Sequence, residues 1–95
     1  MIYHVRLTRT ARRSVAETLP EKVVHVVVEF MRGPLAEDPY RVSKALEGPL
    51  DGLRSARRGP YRIVFSIDDP SRTVLVRQIA HRDDVYRPTG DESSI

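Results

Sequence analysis

Three runs of strand-forming residues, spaced closely near the C-terminal end, constrain this chain more than any other feature. Residues 53–58, 61–68 and 73–80 each have the length of a short strand, and only a few residues separate them. The middle run carries Ile63, Val64, Phe65 and Ile67, an apolar density that assigns it to the centre of a sheet. Asp68, Asp69, Pro70, Ser71 and Arg72 form a natural turn into the third run. Connections this short make neighbouring runs antiparallel partners.

Upstream, residues 2–7 alternate as a short strand should. Thr8 or Thr10 can cap a helix whose polar face holds Arg9, Arg12, Arg13 and Glu17, with Val15, Ala16 and Leu19 as a narrow apolar edge. Pro20 interrupts that helix and suits the first turn of another. Residues 21–32 are ambiguous, because residues 23–28 are rich in β-branched valine. The helical spacing of Val23, Val27, Phe30 and Met31, closed by Gly33 and Pro34, favours a helix. Residues 35–52 read mostly as loop, with one turn around 40–46. The order β-α-α-β-β-β predicts an α+β fold, with two N-terminal helices packed on one face of a small antiparallel sheet. Residues 1–88 are expected to form a single domain and 89–95 a polar, flexible tail.

A chain of 95 residues has no room for separate cofactor and substrate domains. Without cysteine it has no disulfide, no thiolate nucleophile and no Cys-based zinc site. No apolar stretch approaches the roughly 20 residues that span a bilayer, and the first residues lack the basic-then-apolar layout of a secretory leader. The expected location is cytoplasmic, with no membrane partner. The five glycines are scattered, so no phosphate loop exists and no nucleotide cofactor is expected. Three histidines, none paired at helical spacing, give no metal motif; His4 and His25 read as structural.

The net charge is only +3, yet 14 of the 16 basic residues are arginine. A GC-rich coding sequence can produce that skew; so can planar, bidentate recognition of phosphate. Position along the chain separates the two causes. Residues 52–88 hold eight Arg and four Asp, a net of +4, and Arg54, Arg57, Arg58 and Arg62 fall in an acid-free stretch from Gly52 to Ile67. Just after the third run, His81, Arg82, Tyr86 and Arg87 put an imidazole, a phenol and two guanidiniums within seven residues. Such a set suits RNA phosphodiester cleavage. The 2′-OH attacks the adjacent phosphorus, a base takes its proton, cationic donors stabilise the phosphorane oxygens, and an acid protonates the 5′-oxygen leaving group. The nucleophile belongs to the substrate, so no metal is needed. Arginine cannot be the base, whereas an imidazole changes charge near neutrality, which leaves His81. Tyr86 can donate a proton or stack on a base. On the plainer reading, His81 ends a strand, Tyr86 covers the core, the arginines are solvated, and Asp83 and Asp84 pair with neighbouring arginines.

Two segments carry a resemblance. The pattern L-x-S-x-R-x-G-x-Y-R over residues 53–62 and the ending H-R-x-x-V-Y over residues 81–86 resemble the RelE/ParE superfamily of type II toxins, in particular its RelE-like branch. The likeness runs from the strand at Tyr3 through the Leu19-Pro20 helix break to Tyr86. It implies a toxin that cuts mRNA in the ribosomal A site, a metal-independent endoribonuclease held in check by a cognate antitoxin whose complex binds operator DNA. It further implies that Arg62 and Arg82 stabilise charge at the scissile phosphate and that Tyr86 stacks or assists beside the cleaved nucleotide. Arg54, Arg57 and Arg58 would contact phosphates. Two strand lysines of the family fall at Arg54 and Ala56 here, leaving His81 as the base by comparison with relatives that use a C-terminal histidine. The ParE-like branch, a non-catalytic gyrase inhibitor on the same scaffold, is the alternative. A degenerate member that only binds its antitoxin is a third.

Overall fold

A computed structural model describes residues 2–81. Strand β1 (His4–Leu7) leads into helix α1 (Arg9–Arg13), which continues as a wider π-helical turn over Ser14–Thr18. Helix α2 (Glu21–Arg32) and the short α3 (Pro34–Glu37) follow. Then come β2 (Lys44–Ala45), a 3-10 turn at Gly48–Leu50, β3 (Arg54–Arg58), β4 (Tyr61–Asp68) and β5 (Thr73–His81). The α+β class and the two N-terminal helical segments agree with the sequence reading. The chain has more structure between Gly33 and Gly52 than expected, since α3, β2 and the 3-10 turn occupy part of that stretch.

Local chemistry explains the helices. The Thr8 hydroxyl caps α1 by accepting from the Ala11 amide at 3.2 Å. The wide turn closes with the Leu19 amide donating to the Ser14 carbonyl, five residues back. Pro20 begins α2 with its carbonyl accepting from Val23 and Val24. The valine run is helical after all, because its period buries Val27, Phe30 and Met31 on one face. Val26, on the other face, stays half exposed. Packing of that stripe overrides the β preference of valine.

The sheet has five strands in the order β1-β5-β4-β3-β2, which puts β4 in the middle as its composition predicts. Strands β2 to β5 are mutually antiparallel neighbours, but β1 runs parallel to β5, with His4 opposite Thr73 and Leu7 opposite Val76. The sheet is therefore mixed, where sequence alone suggested antiparallel. The reason is connectivity: the helical connection that leaves β1 leads to β2 at the opposite edge, so no tight turn joins β1 to β5 and nothing forces that pair antiparallel. Residues 59–60 turn β3 into β4, and Gly59 takes φ +59°, a conformation that favours glycine. The core lies between helices and sheet, built on Val27, Phe30 and Leu35 against Ile63, Phe65, Val74, Val76 and Ile79. Burying a side chain such as Phe65 contributes about 1.5–3 kcal/mol. Among the described residues no helix is long and apolar enough to cross a membrane.

One polar clasp ties three separate segments together. Asp69, in the turn between β4 and β5, accepts a hydrogen bond from the Tyr3 hydroxyl at 2.6 Å and a second from the Tyr40 hydroxyl. The Arg72 guanidinium lies 5.2 Å from the Tyr3 ring centre. Donation from Tyr3, then from Tyr40, holds the Asp69 carboxyl below its usual range. The same bonds to the Asp69 carboxylate push both phenols above theirs.

The signs of these shifts fix a pH window. A depressed carboxyl contributes stability that is present above its unfolded value of 3.8 and is lost as pH falls through the folded value. Raised phenols contribute stability that is present below 10.0 and is lost as pH rises through their folded values. Asp69→Asn should therefore lower the melting temperature across the neutral plateau, and the gap to wild type should close as acid is added below pH 3.8. Thermal melts of both proteins across that range check it; a gap that stays constant into strong acid removes the clasp as a source of stability.

Candidate nucleic-acid interface

Side chains opposite each other in a sheet share a face, and successive residues alternate. Arg57 pairs with Arg62, and Arg62 pairs on its other side with Ala80. Ser55, two residues before Arg57, pairs with Lys44 of β2. Lys44, Ser55, Arg57 and Arg62 thus share the face turned away from the helices. A cleft of about 520 Å³ opens there, lined by Arg41, Lys44, Arg57 and Arg62 together with Ser43 and Ser55. Among the described residues no carboxylate lines it. Arg41, Lys44 and Arg57 are exposed, and Arg62 is half-buried.

The other two arginines of the acid-free stretch point the opposite way. Arg54 pairs with core Phe65, and Arg58 with Tyr61. Arg58 stacks its guanidinium 3.7 Å from the centre of the Phe30 ring and donates to the Arg57 carbonyl at 2.7 Å. Arg54 donates from Nε to the Ser43 hydroxyl at 2.7 Å and lies 5.1 Å from the Tyr40 ring centre. The sheet divides the cluster that looked continuous in sequence: Arg57 and Arg62 lie on the open face beside a cleft, while Arg54 and Arg58 lie on the helix face against Ser43, Tyr40 and Phe30.

His81 ends β5 opposite Tyr61, and the two rings meet edge to face at 5.5 Å and 79°. It follows Ala80, the partner of Arg62, so it belongs to the helix side of the sheet. There it lines a smaller hollow with Thr10, Ser14, Thr18 and Tyr61. The structure thus brings Arg57 and Arg62 together and sets His81 apart from them. Arg82, Asp83, Asp84, Tyr86 and Arg87 lie outside the described residues, as does the tail 89–95. The other two histidines are exposed: His25 on α2 lies 3.5 Å from Glu29, and His4 sits on β1.

Two cleft residues escaped the sequence reading. Arg41 and Lys44 stand in a stretch read as loop, flanked by Asp38 and Glu47, where the local charge is negative. The available signal was the alternation of residues 44–45 next to a turn, too short to mark a strand. Only pairing with β3 makes it one.

The chain was compared with known families, curated proteins and solved structures. A family described as the ParE toxin of the type II toxin–antitoxin system parDE matches residues 3–86. Toxin RelE of Mycobacterium tuberculosis is 48% identical over 85 residues, covering 90% of this chain and 87% of that protein. Toxin RelG of the same organism is 47% identical over 87 residues, covering 92% and 99%. Among solved structures, the toxin–antitoxin complex RelBE2 of M. tuberculosis aligns with a TM-score of 0.81 at 45% identity, over 86% of this chain and 100% of the matched one. The isolated RelE toxin of E. coli aligns at 0.70 over 96% and 94% with only 16% identity, a likeness of fold alone.

The division of the arginines has a direct consequence for stability. Arg58→Ala should cost about 0.5–2 kcal/mol through the lost stacking on Phe30, whereas Arg57→Ala should stay within about 0.5 kcal/mol of wild type. Urea unfolding of the two variants checks this; equal losses would contradict the assignment of Arg58 to the core side.

Proposed function

We propose, from the premise that this chain belongs to the RelE/ParE superfamily of type II toxins, that it is an endoribonuclease toxin that cuts ribosome-bound mRNA without a metal. The observation that carries this reading is the cleft of Arg41, Lys44, Arg57 and Arg62 on the open face of the sheet, which no carboxylate among the described residues lines. Four cations with no carboxylate among them attract a phosphate backbone, and guanidiniums suit bidentate contact with it. One of the two relatives at nearly half identity is named RelE, which accords with the resemblance to the RelE-like branch and so favours RNA as that backbone.

In this reading Arg62 and Arg57 donate to the phosphorane oxygens as the 2′-OH attacks, and their fixed charge stabilises the developing dianion. Lys44, the one ammonium of the cleft, is placed to protonate the departing 5′-oxygen. For His81 to take the proton of the 2′-OH, the scissile phosphate must lie at the strand ends, within hydrogen-bond reach of its imidazole and of the Arg62 guanidinium together. Arg82 and Tyr86 keep the roles that the family resemblance gives them, charge stabilisation and stacking. The toxin domain is taken as residues 1–88; the family match over residues 3–86 supports that extent. A cognate antitoxin is the expected partner, since similar toxins were solved as the RelBE2 complex and the E. coli RelBE complex. Repression of an operator by the pair and action in the cytoplasm, where ribosomes are, complete the proposal.

A second reading has its own support. The matched family is described by ParE, and His81 lies on the opposite face from Arg57 and Arg62. A non-catalytic inhibitor of gyrase needs a binding face and no proton carrier.

Induction in a host lacking the antitoxin, followed by mapping of mRNA 5′ ends on translating ribosomes, separates the two. The nuclease predicts new ends inside codons at the A site, lost in the Arg57→Ala, Arg62→Ala double variant and cut at least about a hundredfold by His81→Ala, the low end of a typical acid–base contribution. Growth arrest with intact transcripts, cleaved DNA complexes and an active His81→Ala protein would instead establish the inhibitor.

A further inference from the structure

The cleft has an asymmetry in how its two walls are held. Arg57 and Arg62 stand on β3 and β4, paired strands at and next to the centre of the sheet. Arg41 and Lys44 come from residues 41–46, where the only strand, β2, is two residues long and borders the sheet edge. So short a strand cannot by itself hold two long, exposed cationic side chains in register.

The anchors of that wall come from beneath. The Arg54 Nε donates to the Ser43 hydroxyl at 2.7 Å, and one of its terminal nitrogens donates to the Ser43 carbonyl at 3.2 Å and lies 3.4 Å from the Tyr40 carbonyl. The Ser43 hydroxyl in turn donates to the Pro39 carbonyl at 2.6 Å. Tyr40 is held from its other end by Asp69. Every one of these contacts lands on residues 39–43, directly before Lys44 and on both sides of Arg41. Making several bonds in fixed directions from one head group is what a guanidinium fork does and an ammonium, a compact point charge, does not.

We propose that Arg54 is a positioning residue: by gripping Ser43 and the Tyr40 carbonyl, it presents Arg41 and Lys44 to a nucleic-acid backbone lying across Arg57 and Arg62, and it does not touch that backbone. This deepens the reading of the cleft as a phosphate-binding face and rests on it. It also separates Arg54 from Arg57, with which sequence alone grouped it.

The test compares Arg54→Lys, Arg54→Ala and Ser43→Ala with Arg57→Ala in the full-length chain. Ser43→Ala leaves every charge in place and removes one anchor, so it reports on positioning even if both Arg54 variants fold poorly. One measurement is the affinity for a fluorescent single-stranded RNA oligonucleotide over a KCl series. The other is hydrogen exchange of the backbone amides of residues 40–46. Loss of one phosphate contact lowers the slope of log affinity against log salt by about 0.7 for single strands. Arg57→Ala should do that, with unchanged exchange. Arg54→Lys should resemble Arg54→Ala: both lose the ordering of two cations, so the slope falls by about 1.4 and residues 40–46 exchange faster. Ser43→Ala should shift both readouts in the same direction by less.

Wild-type slope and wild-type exchange in Arg54→Lys would overturn the proposal, as would a fall of about 0.7 in Arg54→Ala with exchange unchanged, the mark of a direct phosphate contact. If the wild-type protein does not bind the oligonucleotide, the phosphate-face reading fails by itself. Unchanged exchange in Ser43→Ala and Arg54→Lys would then still overturn the positioning role.

Discussion

The pairing of β4 with β3 and β5 decides which face of the sheet each arginine of β3 and β4 takes. A one-residue slip of β4 would turn Arg62 into the core and Ile63 and Phe65 out to water, and a slip of β3 would turn Arg57 inward in the same way. Burying an unpaired guanidinium is far costlier than any local preference could offset, so the register is strongly specified by burial alone. The irregularity between Val64 and Phe65 works within this limit. It lets Val76 face Phe65 and Ile79 face Ile63 on the same side, so the long strand β5 keeps its apolar residues on the core from end to end.

That constraint accounts for both the cleft and its boundary. The face away from the helices is free to carry cations because the other face already supplies the core. The Asp69 clasp then brings the N-terminal strand, the segment after α3 and the β4–β5 turn to a common point. One of its bonds is part-buried and the other exposed, so its contribution to stability is modest. What it adds is placement: Tyr40 is fixed at one end by Asp69 and shares the Arg54 guanidinium at the other, and the wall of the cleft begins one residue later.

The sequence made β4 legible as the central strand through its run of buried apolar residues, and α2 through the period of Val27, Phe30 and Met31, despite a valine content that argues for strand. It could not show that β1 lies parallel to β5, since the two strands are far apart in the chain and a strand's direction leaves no mark on its own alternation. Nor could it show β2, whose two residues become a strand only because β3 offers them partners. Arg41 and Lys44 were hidden for that reason. The family likeness was legible in residues 53–62 and 81–86, and it identified Arg62 without indicating which of its neighbours share its face.

The excess of arginine over lysine therefore has more than one physical cause within a span of nine residues. At Arg57 and Arg62 the side chains reach a cleft, where planar recognition of phosphate would favour the guanidinium. At Arg58 the requirement is a flat cation able to lie on Phe30, and at Arg54 a fork that satisfies Ser43 and Tyr40 together. Lysine is a poor substitute in both of the latter places, for geometry and not for charge. Clustering of positive charge along a strand is thus weak evidence for a ligand until the faces are known, because alternation guarantees that about half of such a cluster looks inward. Here part of the inward half has been put to use: the Arg54 guanidinium braces the segment from which the outward cleft draws its two remaining cations.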